Sequence, residues 1–132
     1  MLRREFELCA ETLQACEAAA AGGADRIELC AALGEGGVTP SRGLIRAVVA
    51  ATALPVHVLV RPRAGGFVYS DAEFAVICAD VEDALSLGAA GVVVGMLTAS
   101  LAVDVARTRE VVRLAAGHSA PQSATPSARR AP

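Results

Sequence analysis

The chain has 132 residues, 54% hydrophobic and 3% aromatic, with 12 basic and 14 acidic side chains and a net charge of −2. That is enough for one domain with a packed core, and it argues against a nucleic-acid partner, which requires a basic patch. No stretch reaches the roughly 20 apolar residues of a membrane span, and Met1-Leu2-Arg3-Arg4-Glu5 lacks the apolar run of a signal peptide, so the expectation is a cytoplasmic protein with reduced thiols.

In chain order, a first strand is predicted from Glu5 to Cys9 and an Ala-rich helix from Thr12 to Ala21. Gly22-Gly23 supply a left-handed stop. A second strand runs from Asp25 to Cys30, and its Ile27-Glu28-Leu29-Cys30 repeats Phe6-Glu7-Leu8-Cys9. After the loop Gly34-Glu35-Gly36-Gly37-Val38, a second helix opens with Thr39 as N-cap and Pro40 at the first helical position. Its apolar stripe is Leu44, Ile45, Val48 and Val49. The third strand, Val56 to Arg61, is nearly all apolar, as in a strand buried on both faces.

Ser70 and Glu73 have capping-box spacing and start a third helix. Phe74, Ile77, Cys78, Val81 and Leu85 form its buried stripe, and Gly88 ends it. The fourth strand is Gly91 to Gly95. The fourth helix starts near Asp104 and runs through Val111, Val112 and Leu114 to Gly117. The remainder, residues 118–132, is rich in Pro, Ser, Ala and Arg, has no apolar side chain larger than Ala, and is expected to be disordered.

Four βα units in regular order give an α/β fold, and they could be part of a (β/α)8 TIM-type barrel. A full barrel needs about 250 residues, so residues 1–117 supply about four units, a half barrel. An open parallel sheet is the alternative, and it leaves two apolar edge strands bare. A homodimer pairing strand one with strand four would cover them.

Side chains alternate along a strand. Glu7 and Cys9 therefore share one face, and Glu28 and Cys30 share the matching face of the neighbouring strand. None of the four cysteines forms a C-x-x-C pair, which disfavours a zinc ribbon or thioredoxin-like site. Cys9 and Cys30 could hold one soft metal ion such as Cu(I), or both could be small core residues. Cys16 and Cys78, on helices, read as packing residues.

Two inward carboxylates, Glu7 and Glu28, are costly unless paired. Close together they would push one pKa up, as in an acid/base pair; a salt-bridge cluster with Arg26, Arg61 or Arg63 is the structural alternative. Arg61 and Arg63 bracket Pro62 at a strand end, where an Arg fork could anchor a small anionic ligand or close an internal ion pair. His57, on the same strand face as Arg61, reads as a bonded core residue.

Taken together, Glu7-Leu8-Cys9, Gly22-Gly23-Ala24-Asp25-Arg26-Ile27-Glu28-Leu29-Cys30, Glu35-Gly36-Gly37-Val38-Thr39-Pro40-Ser41 and Arg61-Pro62-Arg63 through Tyr69-Ser70-Asp71 are a specific set. In this order and spacing the chain resembles the N-terminal half of the CutC family of copper homeostasis proteins, over about residues 5–117. The resemblance implies a (β/α)8 barrel, a cytoplasmic location, and copper handling through Cu(I)-binding cysteines, with Cys9 and Cys30 at the cysteine-bearing strand ends.

Two departures stand out. The family's Gly-Gly-Asp-Phe loop reads Ala64-Gly65-Gly66-Phe67 here, without the acidic residue. The family also continues into a strand with a Thr-Phe-His-Arg-type motif, where this sequence turns to Pro, Ser, Ala and Arg, as a truncated or frame-shifted copy would. The leading functional expectation is Cu(I) binding at Cys9 and Cys30. The alternative is a TIM-barrel enzyme, or its remnant, acting on a small anionic substrate with Glu7 and Glu28 as acid/base and Arg61 or Arg63 as anchor.

Overall fold

The computed structural model describes residues 2–118. Strand and helix alternate throughout: β1 (Glu7–Ala10), α1 (Leu13–Ala21), β2 (Arg26–Leu29), α2 (Arg42–Ala51), β3 (Val56–Leu59), α3 (Asp71–Ser86), β4 (Gly91–Val93) and α4 (Val105–Gly117). A short 3-10 turn, Leu33–Glu35, interrupts the β2–α2 connection. The tail expected from residue 118 onward lies outside the described residues except for His118, the C-cap of α4. No helix among the described residues is long and apolar enough to cross a membrane.

Each helix begins on a side-chain cap that satisfies one of its orphan N–H groups. Thr12 accepts from Ala15 N at 3.1 Å, Ser41 from Leu44 N at 3.2 Å, Ser70 from Glu73 N at 3.2 Å and Asp104 from Arg107 N at 3.1 Å. At α3 the box is complete, since the Ser70 N–H donates back to the Glu73 carboxylate at 3.0 Å. The cap of α2 is Ser41 rather than the expected Thr39. Thr39 is tied elsewhere: its hydroxyl donates to the Arg61 carbonyl at 3.1 Å and accepts from the Arg61 N–H at 2.9 Å.

Ser70→Ala is expected to cost about 1 kcal/mol, the usual worth of an N-cap, measured by urea unfolding at neutral pH; an unchanged midpoint would show that α3 does not depend on its cap. The Ser70 N–H, and then Arg63, hold the Glu73 carboxyl below its ordinary range. Its stabilising contribution is therefore complete above the unfolded carboxylate pKa and is lost as pH falls through the lowered folded value.

The four strands are all parallel and ordered β1-β2-β3-β4. Right-handed crossovers between sequential neighbours put every helix on the same side of the sheet. The helix-facing residues Ile27, Leu29 and Val58 are fully buried and pack with Val48, Ile77 and Val81 in one core. This is half of a TIM-type barrel. β3 departs from the two-faced burial expected of it: Val56, Val58 and Val60 are buried, but His57 and Leu59 only partly. The inward face, which carries His57 and Leu59, is not covered by another element among the described residues.

Candidate functional site

The face turned away from the helices collects the chemistry. Glu7 and Cys9 lie on it from β1, Arg26, Glu28 and Cys30 from β2 and its end, and His57, Leu59 and Arg61 from β3 and its end. The register is offset from the simple matching of the two repeats: Glu7 sits opposite Arg26 and Cys9 opposite Glu28. Cys30 lies two residues further along. The two thiols nevertheless meet, with Sγ–Sγ at 3.7 Å.

Cys9 is exposed and Cys30 is buried. The Cys30 N–H donates to the Ala10 carbonyl at 3.0 Å, and its thiol points at the same oxygen at 3.6 Å. Burial first, and then the neighbouring Cys9 and the charges of Glu28 and Glu11, push the Cys30 thiol up to about 12. A metal ion binding there must displace that proton, as thiolate ligation always requires. Among the described residues no group of three or more His, Cys, Asp or Glu side chains converges. The pair therefore offers two sulfur ligands, not the four of a structural zinc centre.

Below the thiols, the two carboxylates have different fates. Glu7 is ion-paired with Arg26, its neighbour across the strand gap. Burial, followed by the Glu7 charge and hydrogen bond, raises the Glu28 pKa against the opposing charge of Arg26. His57 stands opposite Glu28 in the register. Its ring lies over Gly91, where a Cβ would come within 3.1 Å of the imidazole, so a side chain there would displace it. Burial, and then Arg26, lower the His57 pKa, which keeps the ring neutral at pH 7.

The arginines at the strand end are engaged. Arg63 pairs with Glu73 and lies 4.8 Å from the Tyr69 ring centroid. Arg61 donates from Nη1 to the Glu35 and Gly37 carbonyls at 3.0 and 2.7 Å, and from Nη2 to the Gly65 carbonyl at 3.0 Å. Phe67 stacks on it at 5.2 Å. Among the described residues Arg61 forms no ion pair, and its buried Nε has no acceptor. The internal pairing of Arg61 or Arg63 with Glu7 or Glu28 is therefore not formed, and Arg26, nearer along the sheet, takes that role.

Cys16 is buried in the core behind the sheet and Cys78 is half-buried on α3, both away from the thiol pair. Sequence reasoning missed Glu11, which accepts from the Leu33 N–H at 2.9 Å and steadies the loop after Cys30. It also missed the part of Gly37, which packs against Leu59 and Cys30; a glycine among three in one loop carries no signal of which one is pressed against a side chain.

A sequence model of the CutC family matches residues 4–121. The chain belongs to the CutC family. A CutC protein of Chromobacterium violaceum is 50% identical over 110 residues, which cover 83% of this chain and 44% of the relative. One from Bacteroides thetaiotaomicron is 46% identical over 120 residues, covering 89% and 47%. A solved structure from Streptococcus agalactiae, named as a candidate copper homeostasis protein CutC, superposes with a TM-score of 0.79 at 31% identity. That match covers 87% of this chain and 56% of the other. The chain thus spans about half the length of the CutC relatives it matches, and its four βα units align with about half of the solved CutC chain.

Proposed function

We propose that this chain takes part in copper homeostasis in the cytoplasm by binding one Cu(I) ion between Cys9 and Cys30. The observation that carries the reading is the thiol pair itself: two sulfurs 3.7 Å apart, one of them exposed, with no third ligand assembled beside them among the described residues. Soft thiolates in a low-coordinate site select Cu(I) over oxygen-loving cations. The exposed Cys9 gives the ion a way in, and Cys30, fixed by the Ala10 carbonyl, supplies a preset second ligand. The copper role named for the Streptococcus agalactiae relative supports the same reading.

The test is an anaerobic titration of the reduced chain against a chromogenic Cu(I) chelator. One ion per chain is expected, and Cys9→Ser or Cys30→Ser should each lower the affinity at least ~100-fold, since either leaves one thiolate. Cys16→Ser is the control that should bind like the parent chain. Equal affinity in the Cys9→Ser, Cys30→Ser double variant would end the proposal.

One observation favours a second reading. Glu28, raised in pKa beside Glu7, is suited to proton transfer, and Arg61 carries a charge that no carboxylate among the described residues neutralises. A barrel enzyme acting on a small anion would use these groups, with Arg61 a better anchor than the Glu73-paired Arg63. Fold likeness alone does not carry that chemistry.

A further inference from the structure

Cys9 lies in β1 opposite Glu28, and Cys30 follows the end of β2 on the same face. Their sulfurs are 3.7 Å apart, in contact but not bonded. Cys30 is the fixed member of the pair. Its N–H donates to the Ala10 carbonyl at 3.0 Å, which ties its backbone to the residue next to Cys9. Gly37 backs its sulfur, since a Cβ on that glycine would lie 3.8 Å from it. A disulfide brings two sulfurs to ~2.05 Å. With Cys30 held, the movement falls on Cys9, which has one side-chain torsion to turn. No residue outside the two strand ends is needed for the bond.

The other two cysteines stand apart. Cys16 is 1% exposed, in the core on the helix side of the sheet, and Cys78 is on α3. Among the described residues, Cys9 and Cys30 make the one sulfur–sulfur contact. Chain connectivity by itself favours a different partner. Cys16 is nearer to Cys9 along the chain than Cys30 is, and a shorter loop closes at lower entropic cost. An unfolded chain therefore pairs Cys9 with Cys16 more readily, and it is the fold that selects Cys30.

We propose that Cys9 and Cys30 form a reversible intrachain disulfide, and that this bond switches the copper site off. What is switched rests on the Cu(I) reading above; the bond itself rests on the two sulfurs alone. The oxidant is a low-molecular-weight disulfide, RS–SR. The Cys9 thiol gives up its proton and attacks one sulfur, the RS–SR bond breaks, and one RSH leaves. The Cys30 thiol then attacks the Cys9 sulfur of the mixed disulfide, and the second RS group leaves as RSH with the Cys30 proton. The two cysteines lose two electrons and two protons, and RS–SR gains them. A dithiol reductant runs the exchange backwards. The thiolate is the metal ligand, so the closed pair has no Cu(I) ligand left. By linkage, Cu(I) on the two sulfurs withholds them from the oxidant.

The experiment treats the reduced, metal-free 132-residue chain with oxidised glutathione, counts free thiols and maps the linked peptides by mass spectrometry. The four free thiols are expected to fall to two, with Cys9 joined to Cys30 within one chain, and dithiothreitol should restore all four. In strong urea the same treatment should give mixed pairings, Cys9 with Cys16 among them. In anaerobic titration the oxidised chain should bind Cu(I) at least ~100-fold more weakly than the reduced chain. One equivalent of Cu(I) should slow the oxidation at least ~10-fold. Four thiols left after treatment, a glutathione adduct on Cys9 that never gives way to the bridge, or pairing as mixed in buffer as in urea overturns the bond. Equal Cu(I) affinity before and after oxidation overturns the switch. Failure of the copper reading is a separate result: the reduced chain takes up no Cu(I), and the bond forms at the same rate with and without the ion. That outcome ends the switch and leaves the disulfide standing.

Discussion

Arg61→Met is expected to lower stability by about 2–4 kcal/mol and to loosen two loops at once. The guanidinium donates to carbonyls in the β2–α2 loop, at Glu35 and Gly37, and to the Gly65 carbonyl in the β3–α3 loop. Both loops are glycine-rich, so their backbone groups are not screened by side chains of their own and need a partner. A hydrogen bond from a charged donor contributes ~1.5–3 kcal/mol; three bonds on one partly exposed group do not add fully, and removing the unpaired Nε returns part of the loss. Met keeps apolar contact with Phe67, which isolates the hydrogen-bonding effect. Lys should recover little, because a compact ammonium lacks the spread fork by which Nη1 and Nη2 reach two loops at once. Urea unfolding gives the energy, and amide exchange at residues 34–38 and 64–67 reports the loosening. A variant within about 0.5 kcal/mol of the parent, with unchanged exchange, would show that the loops hold without the clamp. Because the measurement contains no ligand, it separates this structural part from any anion-anchoring part.

That clamp also marks the limit of what the sequence could disclose. The four βα units were legible because each carries local punctuation: an apolar strand, a polar cap, a helix-period stripe and a glycine stop. The capping box of Ser70 and Glu73 formed as expected, and the shared face of Glu7 and Cys9, and of Glu28 and Cys30, followed from alternation alone. The register did not. Two copies of one phrase invite equal heights, yet Cys9 lies across from Glu28. Strand stagger is set by how the whole sheet twists and coils, which no single strand encodes.

The same gap explains the arginines. Arg26, in β2, is a direct neighbour of Glu7 once the stagger is known. Without the heights, Arg61 and Arg63 are as well suited to the carboxylates by residue type as Arg26 is. Thr39 carries the sequence signal of a cap but is tied to Arg61, 22 residues away, a bond that cap signals, confined to one turn, do not encode.

Gly37→Val is expected to destabilise the chain by about 2–5 kcal/mol and to disturb the thiol pair. Gly37 has φ +90°, and a Cβ there would lie 2.9 Å from the Leu59 Cδ2, 3.7 Å from the Cys30 Cβ and 3.8 Å from its Sγ. Left-handed backbone costs an L-residue ~1–2 kcal/mol, with a β-branched side chain the worst case. Over-packing adds ~1–3 kcal/mol, because Leu59 must move. Leu59 is only partly buried, whereas Cys30 is buried and held by the Ala10 carbonyl, so the strain should fall on Leu59 first and reach the thiol second. Gly37→Ala carries the backbone penalty with less bulk and should remain folded. It therefore tests the link to metal: Cu(I) stoichiometry retained, with affinity reduced about 10-fold as Cys30 is displaced. Parent-like stability in Gly37→Val would mean that the loop has an alternative path around Leu59. Parent-like Cu(I) affinity in a destabilised Gly37→Ala would mean that the loop matters to the fold but not to the placement of Cys30, and that the Ala10 carbonyl alone sets the second ligand.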